Sequence, residues 1–582
     1  MANSRLRKLG SYLRPHWRMV LLGTIALLIV NLLGVYIPLL IKDSIDQLEG
    51  EFSFNQLSRT ALWLLLLSAI MWCFRMYSRT SIFGIGRQVE FGLKQRIFQH
   101  LLTIEPGYFS NNTSGDLINR ATSDVDNIRR LVGFALLSFI NIIFAYAFTL
   151  PVMLKINVRL TILAIAVYPF MLLTVQLFSG KLRRYQEEIQ VKLSDLSELI
   201  QEDMSGMALI RIYAQENQER AAFSQKNQQL LESNLKLAQV RNLLFPVIEG
   251  ISYISLLILL WVGTKAIAAG QITIGDFIAL VLFVERLVFP TALLGFTITA
   301  YQQGEISIDR VESVTQAKPK IKNTAKAIIL PSTEIKGAIT ARNLTYTYPG
   351  SNTPALYDLN FEIQPGETVA IVGSIGSGKS TLANAIPRLL NIAEGELFLD
   401  NCDITKLDLE SLRKAIAYVP QDSFLFSTTI KNNIRYGEPL AETAEVIQSA
   451  QQAQIHPEIL TFPQEYDTLV GERGITLSGG QRQRTALARA LLADAKVLIL
   501  DDSLSSVDNE TATKILNSLS PTTAKKTVIF ISHQLSAAAT CDRILVMDQG
   551  KIVQNGTHAT LVQETGLYQS LWQQHRLKEV LN

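Results

Sequence analysis

The chain has 582 residues, too many for a single hydrophobic core, so its length predicts several domains. Its formal net charge of +3 is too small to indicate nucleic acid as the main partner. The three cysteines, Cys73, Cys402 and Cys541, lie far apart and fit neither a disulfide framework nor a metal-binding spacing. Hydrophobic residues make up 48% of the chain and are concentrated in its first half, which predicts two bodies of different kinds.

The first body contains long stretches without charged residues. Residues 20–41, 131–154 and 160–180 carry no charge, and each matches or exceeds the roughly 20 residues that a helix needs to span a bilayer. The first stretch is too long for a signal peptide and lacks a small-residue cleavage site. Three further apolar stretches are interrupted by charges. The sequence therefore predicts six membrane spans, at residues 17–42, 58–82, 130–155, 157–180, 242–266 and 274–302.

Positive charge indicates the orientation of these spans. The basic residues of the N-terminal segment, which has no acidic residue, are Arg5, Arg7, Lys8, Arg14 and Arg18. Such a segment is expected on the cytoplasmic side. With six spans, the long polar stretches 81–130 and 181–240 fall on that side too, whereas the external connections are short. We therefore expect a multi-pass protein of the cell (inner or plasma) membrane, with long helices projecting into the cytoplasm.

Charges within the predicted spans leave two interpretations open. Glu249, Glu285 and Arg286 would be costly if they faced lipid, so they should face the bundle interior or water. Glu285 and Arg286 could belong to a substrate pathway, or they could form a structural pair or snorkel to the interface. Glu249 lies near the cytoplasmic end of its span, which favours a structural role.

A polar linker and a second domain follow the spans. The first domain is predicted to cover residues 1–316, the linker 317–336 and the second domain 337–578. The second domain alternates strands with helices, an α/β plan. Its early strands are predicted at residues 338–347, 356–363 and 369–372.

A glycine-rich loop follows the third of these strands. Its residues are Gly373, Ser374, Ile375, Gly376, Ser377, Gly378, Lys379 and Ser380, with Thr381 next, and a helix is predicted over 383–390. Strand, loop and helix together are the context of a phosphate-binding loop. Its backbone N–H groups point at phosphate oxygens, Lys379 adds a charge for the β- and γ-phosphates, and Ser380 offers a hydroxyl to Mg²⁺. This domain is predicted to bind a nucleotide.

Two later strands deliver further candidate residues. The strand at residues 496–500 ends in Asp501 and Asp502. An acid at such a position can hold Mg²⁺, and the next acid can polarise an attacking water. The strand at 527–532 delivers His533 at its carboxyl end, the edge where ligands bind in such sheets.

A second phosphate cradle identifies the family. Ser478, Gly479, Gly480 and Gln481 precede a helix, and one nucleotide hardly needs two cradles from distant parts of one chain. Two facing chains that complete each other's sites would explain the pair. The chain here resembles ATP-binding-cassette (ABC) exporters of the multidrug- and lipid-exporter-like type IV fold, with six spans ahead of one nucleotide-binding domain. The resemblance covers nearly the whole chain.

The resemblance implies roles for several residues. Tyr348 would stack on adenine, Gln421 would sense Mg²⁺, and His533 would contact the γ-phosphate. Residues 477–481 match the signature loop, which contacts ATP held by the opposite chain, and Asp508 matches the loop that joins the two sites. Residues 468–474, with Glu472 and Arg473, resemble an exporter-specific segment. Residues 112–119 and 213–217 resemble the two coupling helices.

Asp502 departs from the family pattern, because most members have Glu there. The shorter side chain predicts a slow site, and the resemblance implies the weak-site subunit of a heterodimer. A homodimer with two slow sites is the alternative.

The function expected is ATP-driven export of a hydrophobic or amphipathic, drug- or lipid-like substrate, with ATP and Mg²⁺ as cofactors. A second half-transporter, membrane lipid and a small amphipathic substrate are the expected partners, and nucleic acid is not. Two alternatives stay open: an ATP-gated channel or membrane regulator on the same scaffold, and a peptide exporter. The six spans exclude a soluble cassette ATPase.

Overall fold

The structure is a computed structural model that describes residues 2–48, 54–324, 326–331, 333–471, 474–507, 509–519 and 526–581. The chain forms two compact units. One unit consists of Met1–Leu102 and Asn112–Ala317, and the other of Thr103–Asn111 and Lys318–Asn582. The described part of the first unit is helical, whereas the second unit combines helices with two sheets.

Six helices of the first unit are long and apolar enough to cross a membrane, as predicted. They are Lys8–Gln47, Phe54–Leu101, Ser114–Ile156, Val158–Ser205, Glu216–Ala268 and Ile274–Thr315, and we number them as the first to the sixth spanning helix. Each contains 40 to 53 residues. At 1.5 Å per residue they measure roughly 60–80 Å, about twice the thickness of a bilayer core. The helices therefore extend well beyond their apolar stretches.

Several of these helices are irregular. The third spanning helix contains two π-helical segments, Arg120–Asp124 and Leu131–Ala135, which separate its α-helical parts Ser114–Asn119, Val125–Arg130 and Leu136–Ile156. The other α-helical parts of the unit are Ala2–Leu13, Trp17–Leu48, Phe54–Leu101, Val158–Ile165, Tyr168–Ser205, Met207–Ile212, Glu216–Ala268 and Ile274–Thr315. Such π-helical segments are frequent at functional sites.

The two predicted coupling helices differ in outcome. A helix at Ser114–Asn119, capped by the Thr113 hydroxyl, lies within the first predicted range. The second prediction is wrong in its bounds, because the short helix there is Met207–Ile212 and residues 213–215 form a turn. Ala214 has a φ of 51°, in the left-handed region that an α-helix cannot continue through, so the turn separates two helices.

The second unit contains ten strands among its described residues. They are β1 (Ile339–Tyr346), β2 (Leu356–Ile363), β3 (Thr368–Gly373), β4 (Leu397–Leu399), β5 (Cys402–Asp403), β6 (Ile416–Val419), β7 (Val497–Asp501), β8 (Thr527–Ile531), β9 (Arg543–Asp548) and β10 (Lys551–Gly556). Its α-helices are Pro106–Asn111, Lys379–Ala385, Leu409–Lys414, Ile430–Arg435, Thr443–Gln452, His456–Ile459, Gly479–Leu492, Asn509–Leu519, Leu535–Ala538, His558–Gln563 and Leu567–Leu581.

The strands form two sheets. The smaller sheet is antiparallel, in the order β2-β1-β4-β5, and the larger has the order β10-β9-β3-β8-β7-β6. Strands β9, β3, β8, β7 and β6 run parallel, and β10 is antiparallel to β9. Successive residues of β3 enter two cores: Ala370 and Val372 lie in one, and Val369 and Ile371 in the other. A strand that is buried on both faces has a continuous run of apolar residues, as β3 does. The predicted α/β domain is confirmed.

The helix after the phosphate loop differs from its prediction. It covers Lys379–Ala385 rather than residues 383–390. Pro387 explains the early end, because proline has no N–H to donate to the carbonyl four residues before it, and its ring clashes with that turn. The apolar pattern continues past the proline, which is why the sequence suggested a longer helix.

Candidate nucleotide-binding site

The loop between β3 and the helix Lys379–Ala385 has a backbone that only glycine fits. Gly373, Gly376 and Gly378 have φ values of 151°, 80° and 97°. A Cβ atom on Gly378 would lie 2.5 Å from the carbonyl oxygen of Ala355, and one on Gly373 would collide with the carbonyl of Met547. The glycines therefore permit both the left-handed conformations and the close packing of the loop. The predicted loop adopts a glycine-dependent turn between strand and helix.

Lys379 lies inside this loop. Its ammonium group donates to the carbonyl oxygens of Gly373 at 3.0 Å and Ser374 at 2.7 Å, and to the hydroxyl of Ser377 at 3.3 Å. The residue is only 6% exposed. Burial lowers the pKa of the Lys379 ammonium, while the nearby Asp502 and Asp501 carboxylates oppose that shift. The loop thus holds a buried cation beside two acids.

The predicted Mg²⁺ ligands Ser380 and Asp501 are adjacent. The Ser380 hydroxyl donates to Asp501 Oδ1 at 2.9 Å, and the Tyr418 hydroxyl donates to Asp501 Oδ2 at 3.2 Å. Asp501 is 2% exposed, and burial is the main cause that raises the pKa of its carboxyl group. Burial also raises the pKa of Tyr418, which therefore stays a protonated donor at neutral pH. These contacts hold the carboxylate in a fixed orientation.

Gln421 and Asp502 also meet. The Gln421 side-chain amide donates to Asp502 Oδ2 at 3.4 Å, and the Asp502 N–H donates to the carbonyl of Ile531 at 2.8 Å. Asp502 has a φ of 47°, a left-handed conformation that Asp tolerates better than most residues. Its Oδ1 atom is buried and has no hydrogen-bond partner among the described residues. The strand ends of β6, β7 and β8 thus bring both predicted groups together.

Tyr348 and His533 are both accessible. The Tyr348 side chain is 41% exposed, its ring packs edge-on against Tyr346, and its hydroxyl shares a 3.2 Å hydrogen bond with that of Thr381. An exposed ring beside the loop suits stacking. His533 is exposed two residues after β8, with no hydrogen-bond partner in the described part of the chain.

The signature loop is built as a helix cap. The Ser478 hydroxyl accepts from the Gln481 N–H at 3.2 Å, and the Gln481 side chain accepts from the Ser478 N–H at 2.9 Å. This reciprocal pair is a capping box at the start of Gly479–Leu492. A Cβ atom on Gly480 would lie 2.8 Å from the carbonyl oxygen of Ser506, so that glycine permits close contact with the following loop.

A cavity of about 540 Å³ joins the signature loop to Gln421. Gln421, Gly479, Gln483 and Ser506 are among the residues that line it. Gln483 connects the two loops, because its side chain accepts from the Ser506 N–H at 2.9 Å and donates to the Ser505 hydroxyl at 3.1 Å. No hydrogen bond between described residues joins the signature loop to the phosphate loop of the same chain.

Three contacts of the candidate site are not apparent from the sequence. Tyr418 orients Asp501, Asp548 accepts from the Ser374 hydroxyl at 2.6 Å, and Gln483 supports residues 505 and 506. The alternation of β6 could have suggested Tyr418, but the contacts of Asp548 and Gln483 join distant parts of the chain. Asp508, Glu472 and Arg473 lie outside the described residues.

Comparison with known proteins covers both parts of the chain. Residues 20–291 match the model of the ABC transporter transmembrane region, and residues 356–505 match the ABC transporter model. The chain is 31% identical over 576 residues to a probable multidrug resistance ABC transporter ATP-binding/permease protein, YheI of Bacillus subtilis (strain 168), with 99% of this chain and 98% of that protein covered.

Two further likenesses agree. The ATP-dependent lipid A-core flippase of Syntrophus aciditrophicus (strain SB) is 32% identical over 569 residues, covering 98% of this chain and 94% of that protein. The structure of a bacterial Atm1-family ABC exporter with ATP bound superposes with a TM-score of 0.78 at 25% identity, covering 96% of this chain and 99% of the other. The chain therefore belongs to the ABC transporter family, as an ATP-hydrolysing transporter with six apolar helices ahead of one nucleotide-binding domain.

Proposed function

We propose that the chain exports a hydrophobic or amphipathic substrate, drug-like or lipid-like, by alternating access of a dimer driven by ATP. The observation that carries this proposal is the combination, in one chain, of six apolar helices with a phosphate loop and a signature loop. The names of the relatives, which include a multidrug resistance transporter and a lipid A-core flippase, support the substrate class.

The nucleotide chemistry is assigned to particular groups. We assign phosphate binding to the loop from Gly373 to Ser380, which leads into the N-terminus of the helix Lys379–Ala385, where backbone N–H groups favour an anion. Lys379 would exchange its contacts with loop carbonyls for phosphate oxygens, and Tyr348 would stack on adenine. His533 is assigned to the γ-phosphate, because it is exposed at the end of β8.

The oxygen ligands around Asp501 fit Mg²⁺. Ser380 and Asp501 offer a hydroxyl and a carboxylate 2.9 Å apart, and Gln421 adds an amide oxygen nearby. No group of three or more His, Cys, Asp or Glu among the described residues could hold a metal alone, which suits a Mg²⁺ ion bound largely by substrate phosphates. Bound there, Mg²⁺ would neutralise charge on the β- and γ-phosphates. Asp502 would then accept a hydrogen bond from the attacking water.

The signature loop supports a dimer. Ser478, Gly479 and Gly480 form a second helix N-terminus, and we assign it, with Gln481, to ATP held by a second chain. Asp508 is assigned to the loop that joins the two sites. Because Asp502 replaces the usual Glu, we favour a heterodimer with a half-transporter that carries Glu, and we keep the homodimer as the alternative. We expect membrane lipid to surround the spanning helices. We place the basic N-terminal segment of the chain in the cytoplasm.

The export proposal is tested by the ATPase of the purified chain in liposomes, with a panel of amphiphiles. Export requires that some of them stimulate hydrolysis in the parent but not in Lys379→Ala. Hydrolysis that no amphiphile changes, together with ATP-dependent ion conductance, would favour the gated channel instead.

A further inference from the structure

A cavity inside the first unit is lined by three arginines. It has a volume of about 230 Å³ and lies among the first, second, third and sixth spanning helices. Arg75 and Arg79 reach it from the second helix and Arg286 from the sixth, and Asn31 and Asn141 add amide groups. All five residues belong to the spanning helices, where polar groups are costly. We call these five residues the arginine cluster.

Arg286 is held in place by the first spanning helix. Its Nη2 atom donates to the Asn31 carbonyl at 3.1 Å and to Asn31 Oδ1 at 3.0 Å. The Asn31 side chain donates in turn to the Leu27 carbonyl at 2.9 Å and to Asn141 Oδ1 at 3.1 Å. A Cβ atom on Gly34 would collide with the Arg286 guanidinium, so Gly34 leaves the space that this guanidinium fills. The cation is therefore positioned by specific contacts.

The arginine cluster lacks a counter-charge. None of its three arginines forms an ion pair with any residue that the structure describes, and Arg75 donates only a weak hydrogen bond, to the Met71 sulfur at 3.6 Å, among the described residues. Glu285 is exposed and does not pair with its neighbour Arg286, which disfavours the structural-pair interpretation. The Nε atom of Arg286 is buried without a hydrogen-bond partner among the described residues.

The like charges of the cluster repel each other: Arg75 interacts electrostatically with both Arg286 and Arg79. Ionised side chains within a membrane are expensive and mark functional sites when they are present, because hydrophobic residues would serve packing better. Guanidinium forks with free N–H groups match the geometry of oxyanions such as phosphate. Apolar side chains, among them Leu27 and Leu137, line the rest of the cavity and suit an alkyl chain.

We propose that the arginine cluster binds the anionic head group, of the phosphate type, of an amphiphilic substrate. The proposal rests on the export function proposed above and narrows its substrate class, because a cluster of cations would repel cationic amphiphiles. Arg286 binds the head group, Arg75 and Arg79 add charge, and Asn31 positions Arg286.

The test measures binding of radiolabelled dodecyl phosphate to the purified full-length chain in the neutral detergent dodecyl maltoside. Three compounds serve as competitors. Dodecyltrimethylammonium and dodecanol have the same alkyl chain as dodecyl phosphate, and inorganic phosphate has the same head group. The variants are Arg286→Gln and Arg75→Gln. Arg183→Gln is the matched control, because Arg183 is an exposed arginine on the fourth spanning helix that lies 3.9 Å from Glu187.

We expect unlabelled dodecyl phosphate to compete and the cationic and neutral amphiphiles not to. Arg286→Gln should weaken binding roughly tenfold or more, because each charge-assisted hydrogen bond lost typically has that effect. Arg183→Gln should bind as the parent does. Strong competition by inorganic phosphate alone would show a free anion site rather than an amphiphile site. Equal competition by the cationic amphiphile, or unchanged binding by Arg286→Gln, would overturn the proposal.

A third variant guards against misfolding of the charge deletions. Gly34→Ala keeps all three charges but displaces the flexible Arg286 guanidinium, so it should also weaken binding, and parent-like binding by Gly34→Ala would contradict the assigned position of Arg286. Failure of this proposal is distinct from failure of export. ATP-driven transport of a cationic amphiphile would support the export function and reject the anion site. Binding of dodecyl phosphate without ATP-driven transport would support the anion site and reject the export function.

Discussion

At the scale of single residues, the nucleotide site depends on buried charges held by few contacts. Among the described residues, Lys379 has only the loop's own oxygens as hydrogen-bond partners, and it is 6% exposed. Asp501 is 2% exposed and accepts from Ser380 and Tyr418. Such groups are poor choices for stability, since burial disfavours their charged forms. They fit a site whose stabilising partner is a phosphate or a metal ion.

Lys379→Ala should weaken ATP binding at least tenfold, because it removes a charge-assisted contact with the phosphates. Isothermal titration of the purified protein with ATP measures this. Lys414→Ala is the matched control, since Lys414 is an exposed lysine of the same unit paired with Glu410 at 2.7 Å. ATP affinity equal to that of the parent would show that the loop does not bind phosphate.

Asp501→Asn should change stability and Mg²⁺-dependent binding in opposite directions. Burial raises the pKa of Asp501, so the native state binds its proton more tightly than the unfolded state does. Without metal, the folding stability therefore falls as the pH rises from the ordinary carboxyl pKa of 3.8 through the raised pKa of the native state. Above the native pKa the whole loss of stability is present. Asparagine removes that penalty.

For Asp501→Asn at neutral pH we therefore expect a higher unfolding temperature in the absence of metal, and roughly tenfold weaker binding of ATP with Mg²⁺. Binding of ATP without Mg²⁺ should change little. Calorimetry and titration with and without Mg²⁺ check both signs. A lower unfolding temperature for the variant would mean that the Asp501 carboxylate stabilises the fold, against the direction of its pKa.

At the scale of elements, the signature loop depends on a helix cap. Ser478→Ala removes the hydroxyl that accepts from the Gln481 N–H, which costs about 1 kcal/mol of helix stability. Amide hydrogen exchange in the first turn of Gly479–Leu492 should accelerate about fivefold. Ser478→Thr keeps a capping hydroxyl and is the control. Unchanged exchange in Ser478→Ala would show that the cap contributes nothing.

The elements also show which kinds of inference the sequence supports. The sequence predicts strands β3, β7 and β8 within one residue at each end, because buried parallel strands are short apolar runs bounded by polar residues or glycine. The apolar pattern after the phosphate loop predicts a helix that continues past Pro387, whereas the helix ends at Ala385 because proline interrupts it. Ala214 in a left-handed conformation was not predictable from its residue type.

Long-range contacts were the least predictable feature. The adjacency of Ser380 and Asp501 follows from two strands that end at one sheet edge, so motif reasoning anticipated it. The arginine cluster does not follow from any motif, because it joins side chains of four helices whose rotation the sequence leaves open. The sequence therefore identifies Arg286 as a candidate but not the other members of the cluster, Arg75, Arg79, Asn31 and Asn141.

At the scale of the whole molecule, Asp502 bears on which dimer forms. An aspartate is one methylene shorter than glutamate, so its carboxylate falls short of the attacking water by roughly 1.5 Å, about one C–C bond. A misplacement of about 1 Å can cost on the order of 10²-fold in rate. The chain alone should therefore hydrolyse ATP slowly, and Asp502→Glu should raise the rate by up to that factor.

Steady-state ATPase of the parent and Asp502→Glu, with Lys379→Ala as the inactive reference, measures the effect of the shorter acid. Fast hydrolysis and transport by the parent, unaffected by Asp502→Glu, would reject the heterodimer in favour of a competent homodimer.

We expect the nucleotide site to drive vectorial transport through the six spanning helices. Accumulation of a labelled amphiphile inside inside-out membrane vesicles tests it most directly, with the Asp502→Glu chain used to ensure turnover and the Asp502→Glu, Lys379→Ala double variant as control. We predict uptake that exceeds the external concentration, needs both ATP and Mg²⁺, and is absent from the double variant. Equilibration without accumulation, or equal uptake by the double variant, would show that ATP turnover does not drive transport.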